Sequence, residues 1–441
     1  MESEEEFSSQ QANEHVKQKN MTITQNLNNK VWDLVVIGGG PAGMMAAGRA
    51  GEIGKKVLLL EKNTVLGKKL LITGGGRCNV TNNKTNTREM LSKYKGNDQF
   101  LFSAFSQFDV TSTLSFFNEK GMPTKEENEG RIFPVSNSSQ SVYDVLYEYM
   151  KKGNVEIRKS SIVGGIEKSK VNDTLIIRTK SGNDIHTHAC VLATGGTSRP
   201  ETGSTGEGFM WLKKLGHTIN ESNVALVPVA LTDTWVKKIS GLTLDEVRLT
   251  TYQNNQKQEA YKGKILFTHF GISGPMVLNM SKDIGELLKY GEVELKLDLF
   301  PGKDGSKIKN ELQNILITES NKKLKNVLGM MIPSPLITPL LSITEIDGQT
   351  PNHSVSSEDR VKLVKFMKEI PLHVKGLLGK EKAIVSSGGV ALTEVDFKTM
   401  ESRIVKNLYL VGDVLNIDRP SGGYSLQLCW TTGWVAGSNL D

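Results

Sequence analysis

Short apolar runs separated by glycines dominate the chain just after residue 30. Residues 34–37 and 57–60 are continuous apolar stretches of the kind that form buried parallel strands. Residues 41–52, between them, are small and mostly apolar and predict a helix. A strand, a helix and a second strand in this order form a βαβ unit, so the pattern predicts an α/β fold with a parallel sheet.

Two later stretches repeat this pattern. Residues 191–196 and residues 407–411 again read as buried strands that end in glycine turns, and a helix is predicted from residue 421 to about residue 437. Residues 1–29 are rich in Glu, Gln, Asn and Ser and predict a flexible tail.

The hydrophobic pattern changes after Pro228. Within residues 229–300 short strands are predicted at 246–252, 264–268 and 292–299, whereas residues 306–328 and 356–368 have helical spacing, with Ser356 as an N-cap. Several prolines between residues 333 and 371 are expected to break the helices here. This part of the chain reads as a β-barrel followed by a helical cap.

The turn after the first strand has the spacing Gly-x-Gly-x-x-Gly, formed by Gly38, Gly40 and Gly43. The first glycine suits a tight turn, the second a close approach of the backbone to a pyrophosphate, and the third close packing of helix on strand. The helix N-terminus offers unpaired N–H groups to phosphates. Glu61, at the end of the second strand, is placed to accept both hydroxyls of an adenosine ribose. The unit therefore predicts dinucleotide binding.

Further glycine-rich segments favour FAD over NAD as the dinucleotide. Residues 67–82 form a second glycine loop, in which Arg77 supplies a cation, and NAD sites do not need such a loop. Asp413 follows the strand at 407–411, and residues 421–424 open the last helix. A carboxylate beside a glycine-rich helix N-terminus suits the ribityl chain and the pyrimidine end of a flavin.

Composition narrows the class of protein only modestly. The 441 residues carry 54 Lys and Arg against 48 Asp and Glu, a net charge of +6 that is spread along the chain. Nucleic acid is therefore a permitted partner but not an indicated one. Cys78, Cys190 and Cys429 fit neither a disulfide framework nor a zinc site, so a cytoplasmic protein without a metal is expected. No uncharged apolar run reaches the length of about 18 residues that predicts a membrane span.

Five segments together resemble the BaiN/RdsA family of NAD(P)/FAD-dependent oxidoreductases. They are residues 74–82, 268–275, 388–390, 399–402 and 422–427, and the resemblance covers about residues 31–440. It implies a Rossmann-like FAD-binding domain in two segments, 30–220 and 381–441, with residues 221–380 as an inserted β-barrel and helical domain. Ser425 stands where an Asn is usual in this family, and residues 416–420 lack the usual acid-x-x-Gly run.

The predicted cofactor site combines the motif residues with those that the resemblance implies. The predicted FAD-binding residues are Gly38, Gly40, Pro41, Ala42, Gly43, Glu61, Lys62, Gly67, Gly76, Arg77, Cys78, Asn79, Ala193, Thr194, Gly195, Gly412, Asp413, Gly422, Gly423, Tyr424, Ser425 and Leu426.

A bound flavin transfers hydride itself, so few catalytic side chains need be visible in the sequence. The first hypothesis is reduction of an activated C=C, with His269 or Tyr424 as the proton donor. The family resemblance implies such chemistry on conjugated steroid acids or on uracil in ribosomal RNA, and it also links similar proteins to amine oxidation. A flavin amine oxidase and an RNA- or ribosome-associated flavoprotein therefore stay open as alternatives.

The electron donor is predicted to be NAD(P)H, bound transiently. Residues 38–43 are the one place in the chain where a strand, the glycine triplet, a helix and a following acid occur together. A separate pyridine-nucleotide domain is therefore not expected.

Overall fold

The computed structural model describes residues 31–94, 96–169, 173–221, 226–288, 290–378 and 388–440. These residues form two compact units. The first unit contains the described residues up to 221 and from 388 onward, and the second contains residues between 226 and 378. The predicted tail, residues 1–29, lies outside the described residues.

The strands are numbered in chain order. They are β1 Trp32–Ile37, β2 Val57–Leu60, β3 Thr81–Asn82, β4 Thr124–Glu127, β5 Arg131–Pro134, β6 Glu156–Arg158, β7 Val163–Lys168, β8 Leu175–Thr179, β9 Asp184–Leu192, β10 Ile219–Glu221, β11 Val229–Leu231, β12 Thr243–Gln253, β13 Gln256–Thr268, β14 Gly271–Ser273, β15 Val293–Asp298, β16 Ile370–Leu377, β17 Gly388–Val390 and β18 Leu408–Leu410.

The α-helices are numbered in the same way. They are α1 Pro41–Glu52, α2 Lys68–Ile72, α3 Thr87–Leu91, α4 Asp98–Gln107, α5 Val110–Glu119, α6 Ser139–Lys152, α7 Glu207–Lys214, α8 Pro275–Leu287, α9 Gly305–Thr318, α10 Leu324–Val327, α11 Ser334–Thr344, α12 Ser357–Lys368 and α13 Tyr424–Ser438. None of these helices has the length and apolarity that crossing a membrane requires.

The first unit is built on a seven-stranded sheet whose parallel part runs β6, β2, β1, β9 and β18. The last half of β9 pairs with β18, while its first half pairs with β8, which continues into β7 as an antiparallel extension. Because β1 lies in the middle, its residues 34–36 are fully buried. The predicted α/β class with a Rossmann-like sheet is confirmed.

Helix α13 packs closely on α1 because both helices carry small residues at their contact. A β-carbon on Gly433 would lie 2.5 Å from the carbonyl oxygen of Ala42, and one on Gly437 would lie 2.5 Å from that of Ala46. Only glycine permits this approach. The contact brings the N-terminal end of α1 and the strand end at β18 to the same edge of the sheet.

Two smaller sheets complete the first unit. Strands β3, β5 and β4 form an antiparallel sheet, and β10 pairs with β17, which joins the two segments of the unit.

The second unit contains a closed barrel in the order β11, β14, β13, β12, β15 and β16, which closes because β11 pairs with both β14 and β16. Its helices differ from those expected. Residues 306–328 are two helices, α9 and α10, instead of one. Helix α11 contains Pro339, which was expected to break it, because a single proline removes only one backbone hydrogen bond from a helix whose apolar face is buried. Helix α12 begins at its predicted cap, where the Ser356 hydroxyl accepts from Asp359 N–H at 2.9 Å.

Candidate cofactor site

A cleft lies at the carboxyl edge of the parallel sheet, where β1, β2, β9 and β18 end. Ligands of open α/β sheets bind at this edge. The space in the cleft, counted together with the open solvent at its mouth, is about 910 Å³. The predicted residues that line it are Gly38, Gly40, Pro41, Ala42, Glu61, Lys62, Gly67, Ala193, Thr194, Gly195 and Asp413.

The three motif glycines occupy three different environments. Gly38 has a φ of +107°, and a β-carbon there would lie 2.5 Å from the carbonyl oxygen of Ala193, the residue after β9. A β-carbon on Gly43 would lie 1.9 Å from the carbonyl oxygen of Gly38, so Gly43 is needed for helix to pack on strand. A β-carbon on Gly40 would meet no protein atom within 4 Å, and its φ of −80° suits any residue.

Gly40 therefore has no reason within the chain to be glycine. It is the N-cap of α1, with Pro41 as the first helical residue, and it lines the cleft. A ligand that approaches the helix N-terminus closely accounts for its lack of a side chain. A diphosphate is such a ligand, and the first turn of α1 offers it backbone N–H groups.

Glu61 is buried at the end of β2 and is already hydrogen bonded within the chain. Its Oε2 accepts from Gly39 N–H at 2.8 Å, and its Oε1 accepts from the backbone and side-chain N–H groups of Asn63 at 2.7 and 2.8 Å. These bonds fix the carboxylate at the cleft wall. A carboxylate has about four acceptor sites, so one remains for a ribose hydroxyl, and not the two expected.

The opposite wall is tied to the end of β2 by lysine and asparagine side chains. Lys62 Nζ donates to Thr205 Oγ1 at 2.8 Å and forms an ion pair with Glu207 at 2.7 Å. Asn63 Nδ2 also donates to the carbonyl oxygen of Thr202 at 3.0 Å. Lys62 thus fixes the loop before α7 and is not a free cation in the cleft.

Thr194 lines the cleft, but its hydroxyl is turned away from the open space. The hydroxyl is buried, has no hydrogen-bond partner in the described part of the chain, and packs on α7, where a β-carbon on Gly208 would lie 2.2 Å from Oγ1. The features that fit a diphosphate are therefore the open space at Gly40 and the backbone donors at the start of α1.

Asp413 follows β18 and forms a buried ion pair with Arg419. The Arg419 side chain is fully buried and also donates to the carbonyl oxygen of Ile417 at 2.6 Å and to Ser425 Oγ at 3.1 Å. The expected role of Asp413 as a free acceptor for a ribityl chain is therefore incomplete, because one oxygen faces an arginine. Sequence reasoning missed Arg419, whose signal was a basic residue just before Pro420 and the glycines of the last helix.

Lys69 and Cys429 are two further lining residues that sequence reasoning missed. Lys69 Nζ donates to Ser198 Oγ at 3.0 Å, and burial lowers the pKa of the lysine, although the attraction of Asp413 opposes this. Burial raises the pKa of the Cys429 thiol to about 12. The signal for Lys69 was its place on the turn of helix after Gly67, directly beside the glycine loop.

The N-terminus of α13 lies outside the lining of this cleft and is fixed by the chain itself. Gly423 has a φ of +100°, and a β-carbon there would lie 2.4 Å from the backbone of Thr81. The amide nitrogen of Asn79 donates to the carbonyl oxygens of Thr81 and Ile132, and its amide oxygen accepts from Gly423 N–H at 3.0 Å. Asn82 Nδ2 donates to the Gly422 carbonyl oxygen at 3.2 Å.

These contacts give Asn79 a role in holding α13 on the β3–β5 sheet. The other predicted residues that do not line the cleft are Gly43, Gly76, Arg77, Cys78, Gly412, Gly422, Gly423, Tyr424, Ser425 and Leu426.

Arg77 lies away from the cleft, contrary to the expectation of a ligand-facing cation. Its guanidinium forms an ion pair with Glu127, donates to Asn137 Oδ1 at 2.9 Å and stacks 4.2 Å above the Phe133 ring. It therefore stabilises the β4–β5 hairpin. Cys78 is fully buried, and burial raises the pKa of its thiol to about 12, which keeps it protonated.

The two candidate proton donors lie in different units. Tyr424 is the first residue of α13, nearly buried, with its ring edge-on to Tyr94, and burial raises its pKa to about 12. Its phenol is therefore protonated at neutral pH. His269 lies in the second unit, exposed in the turn between β13 and β14 and in ring contact with Phe270.

Comparison with known proteins agrees with this geometry. The chain matches the family described as HI0933-like protein Rossmann domain over residues 32–439. It is 30% identical over 412 residues to the ribosomal RNA dihydrouridine synthase of Escherichia coli (strain K12), covering 93% of this chain and 98% of the relative. It is also 30% identical over 406 residues to the 3-dehydro-bile acid delta(4,6)-reductase of Clostridium scindens, covering 91% and 97%.

A solved structure shares the fold at much lower identity. The 3-ketosteroid delta1-dehydrogenase of Sterolibacterium denitrificans superimposes with a TM-score of 0.52 and 11% identity, covering 93% of this chain and 99% of that one.

The sheet, the glycine turn, the cleft and the family match define a Rossmann-fold flavoprotein, an oxidoreductase with FAD as its cofactor. The chain belongs to the HI0933-like family, and the resemblance to BaiN and RdsA proteins read from its motifs is confirmed.

Proposed function

We propose that this oxidoreductase reduces a C=C bond conjugated to a carbonyl group. The observation that carries the proposal is the near full-length similarity to two relatives whose names describe such reductions. A delta(4,6)-reductase of a 3-dehydro-bile acid removes double bonds conjugated to a ketone, and a dihydrouridine synthase saturates the conjugated C=C of uracil. Both are the addition of a hydride and a proton to a polarised alkene.

The chain's own residues would hold the cofactor as follows. Gly38, Gly40 and the first turn of α1 would bind the diphosphate, and Glu61 would bind a ribose hydroxyl. Bound FAD supplies the hydride. The protein then needs to orient the alkene, exclude water and deliver one proton.

Tyr424 and His269 are the proposed proton donors. Tyr424 is supported by its place at the first turn of the last helix and by its raised pKa, which leaves the phenol O–H intact. His269 is supported by its exposure and by its imidazole ring, which is a common general acid in enzymes. Tyr424→Phe and His269→Gln would separate them, because only the true donor's variant slows proton delivery while cofactor content is unchanged.

NAD(P)H is the proposed electron donor, bound transiently without a nucleotide domain of its own. We also propose that FAD is bound by the domain formed of residues 30–220 and 381–441, with residues 221–380 as an inserted domain.

A panel of acceptors tests the reaction class. Purified holoenzyme would be mixed with NADH or NADPH and, in turn, with a 3-oxo-4-ene steroid acid, a uridine-containing ribosomal RNA fragment and small primary amines. Nucleotide oxidation that depends on the enone or on the RNA supports reduction of an activated alkene. Peroxide formation with amines, and none of these reductions, would favour a flavin amine oxidase instead.

The RNA arm also distinguishes substrate size. Reduction of the RNA fragment that weakens steeply with salt favours a ribosomal RNA base as the natural substrate, because phosphate contacts make RNA affinity salt-dependent. Reduction of the steroid acid alone favours a small molecule.

A further inference from the structure

Three charged side chains, those of Lys69, Asp413 and Arg419, interact at one part of the cofactor cleft. Lys69 and Asp413 both line the cleft, and Arg419 lies behind Asp413 with its side chain fully buried. Burial lowers the pKa of Lys69, and the attraction of the Asp413 carboxylate is the strongest effect that raises it. The described residues therefore place two cations around one carboxylate, with a net charge of +1.

Asp413 alone would be unfavourable in this position. FAD carries two negative charges on its diphosphate, and like charges in a partly buried cleft repel strongly because the local dielectric is low. Arg419 removes the difficulty because it pairs with Asp413 and, by further bonds to the Ile417 carbonyl and to Ser425 Oγ, cannot swing away. The carboxylate is thus both neutralised and fixed in orientation.

Lys69 has the opposite property. It is partly buried, its ammonium donates to the neutral hydroxyl of Ser198, and among the described residues it forms no ion pair with a carboxylate. A buried ammonium without a counter-charge is costly. Burial therefore disfavours the charged form of Lys69, and an anion in the cleft would stabilise it.

We propose that Arg419 is a positioning residue that neutralises Asp413, and that this leaves the charge of Lys69 to bind the diphosphate of FAD. Without Arg419, Asp413 would attract Lys69 and the two would pair with each other. The charge of Lys69 would then no longer be available to the diphosphate. The proposal rests on the assignment of FAD to this cleft and adds to it the pair of residues that set the local charge.

Four variants test the proposal through the affinity of the holoenzyme for FAD, measured from flavin release on dilution at low and high salt. Arg419→Met should weaken FAD binding about tenfold or more, which corresponds to about 1.4 kcal/mol. The double variant Asp413→Asn/Arg419→Met, in which the carboxylate is also removed, should return to within about threefold of the wild-type affinity.

Lys69→Met should weaken FAD binding about tenfold both alone and in the double-variant background, and it should reduce the salt dependence of binding. Lys151→Met is the matched control, because it removes one positive charge from an exposed position on α6 and should leave the affinity unchanged. Changing Asp413 would also relieve a purely structural defect of Arg419→Met, so the charge effect is identified by the salt dependence of FAD binding, which a structural defect leaves unchanged.

The proposal is overturned if the double variant binds FAD as weakly as Arg419→Met, or if Lys69→Met retains wild-type affinity and salt dependence. Should Arg419→Met fail to fold because it leaves Asp413 buried and unpaired, the double variant and its Lys69→Met derivative carry the same test. The readout is FAD affinity and not turnover, so these outcomes are independent of whether the enzyme reduces an alkene.

Discussion

Individual residues of the glycine turn show why the same amino acid recurs for different reasons. Gly43 is required by the protein's own packing, since a β-carbon would lie 1.9 Å from the Gly38 carbonyl oxygen, whereas Gly40 faces open space. The two positions are three residues apart and experience the same helix N-terminus. They form a matched pair in which one substitution tests folding and the other tests ligand binding.

We expect Gly40→Ala to leave the thermal unfolding midpoint of the FAD-free protein close to that of the wild type. The same variant should bind FAD at least about tenfold more weakly, because the added methyl group lies where the diphosphate would approach. Gly43→Ala should lower the free energy of unfolding by about 1–3 kcal/mol through overpacking. Flavin content and thermal unfolding check both. An FAD-replete Gly40→Ala protein would contradict the assignment of the diphosphate to this turn.

His217, which is buried beside α7, has a proton position that its hydrogen bonds define. Its Nε2 lies 2.7 Å from Ser402 Oγ and its Nδ1 lies 3.3 Å from the Leu212 carbonyl oxygen. Ser402 Oγ already accepts from the N–H groups of Ile404 and Val405, so its own proton must point to Nε2. The imidazole is therefore neutral, with its hydrogen on Nδ1.

Burial lowers the pKa of His217. Since the unfolded chain binds a proton near pH 6.5 and the folded chain resists it, the stabilisation is complete above that pH and is lost as pH falls below it. We expect unfolding free energy to decline below about pH 6.5 by up to about 1.4 kcal/mol per pH unit. His217→Gln should remove this component, whereas His188→Gln, at an exposed position, should keep it; equal slopes in all three proteins would refute the assignment.

At the scale of elements, the last helix depends on a sheet far away in sequence. Asn79 connects Gly423 N–H at the start of α13 with the carbonyl oxygens of Thr81 and Ile132. We expect Asn79→Ala to lower the unfolding free energy by about 1–3 kcal/mol, because it removes the acceptor of Gly423 N–H. Asn83→Ala, which removes an exposed bond to Glu126, is the control and should change little. Chemical denaturation of both variants measures the difference.

Elements whose hydrophobic pattern matches their structural period could be read from the sequence. Helix α1 and strand β2 have the predicted bounds, because a continuous apolar run bounded by glycines fits a buried strand and little else. Helix α8 and the first half of β13 were not predicted. The exposed residues 256–264 carry no apolar alternation, and their strand is specified by pairing with β12, which is a tertiary effect.

The candidate site divides in the same way. Residues close in sequence to a strand end, such as Gly38, Glu61 and Asp413, could be assigned because the topology of a parallel sheet brings strand ends together. Lys69 and Arg419 could not, because their roles depend on a charge partner that is distant in sequence or on burial. Arg77 was wrongly expected to face the ligand. Its place among glycines suggested this, but its partner is Glu127 of the β4–β5 hairpin, which is distant in sequence.

For the whole molecule, the described residues form two units, and the one glycine turn of the dinucleotide type lies in the first. If NAD(P)H reduces the enzyme without a domain of its own, the rate of reduction should rise nearly linearly with NAD(P)H concentration in stopped-flow experiments. A tight and saturable pyridine-nucleotide site would contradict that view.

The most direct test of the whole account is a single turnover without oxygen. Holoenzyme would be reduced by light and a sacrificial donor, freed of that donor, and mixed with one equivalent of a 3-oxo-4-ene steroid acid or of uridine in ribosomal RNA. We predict that one of these alkenes restores the oxidised flavin spectrum and yields one equivalent of the saturated product. A reduced enzyme that neither alkene reoxidises, but that oxygen reoxidises rapidly with formation of peroxide, would contradict the proposed function.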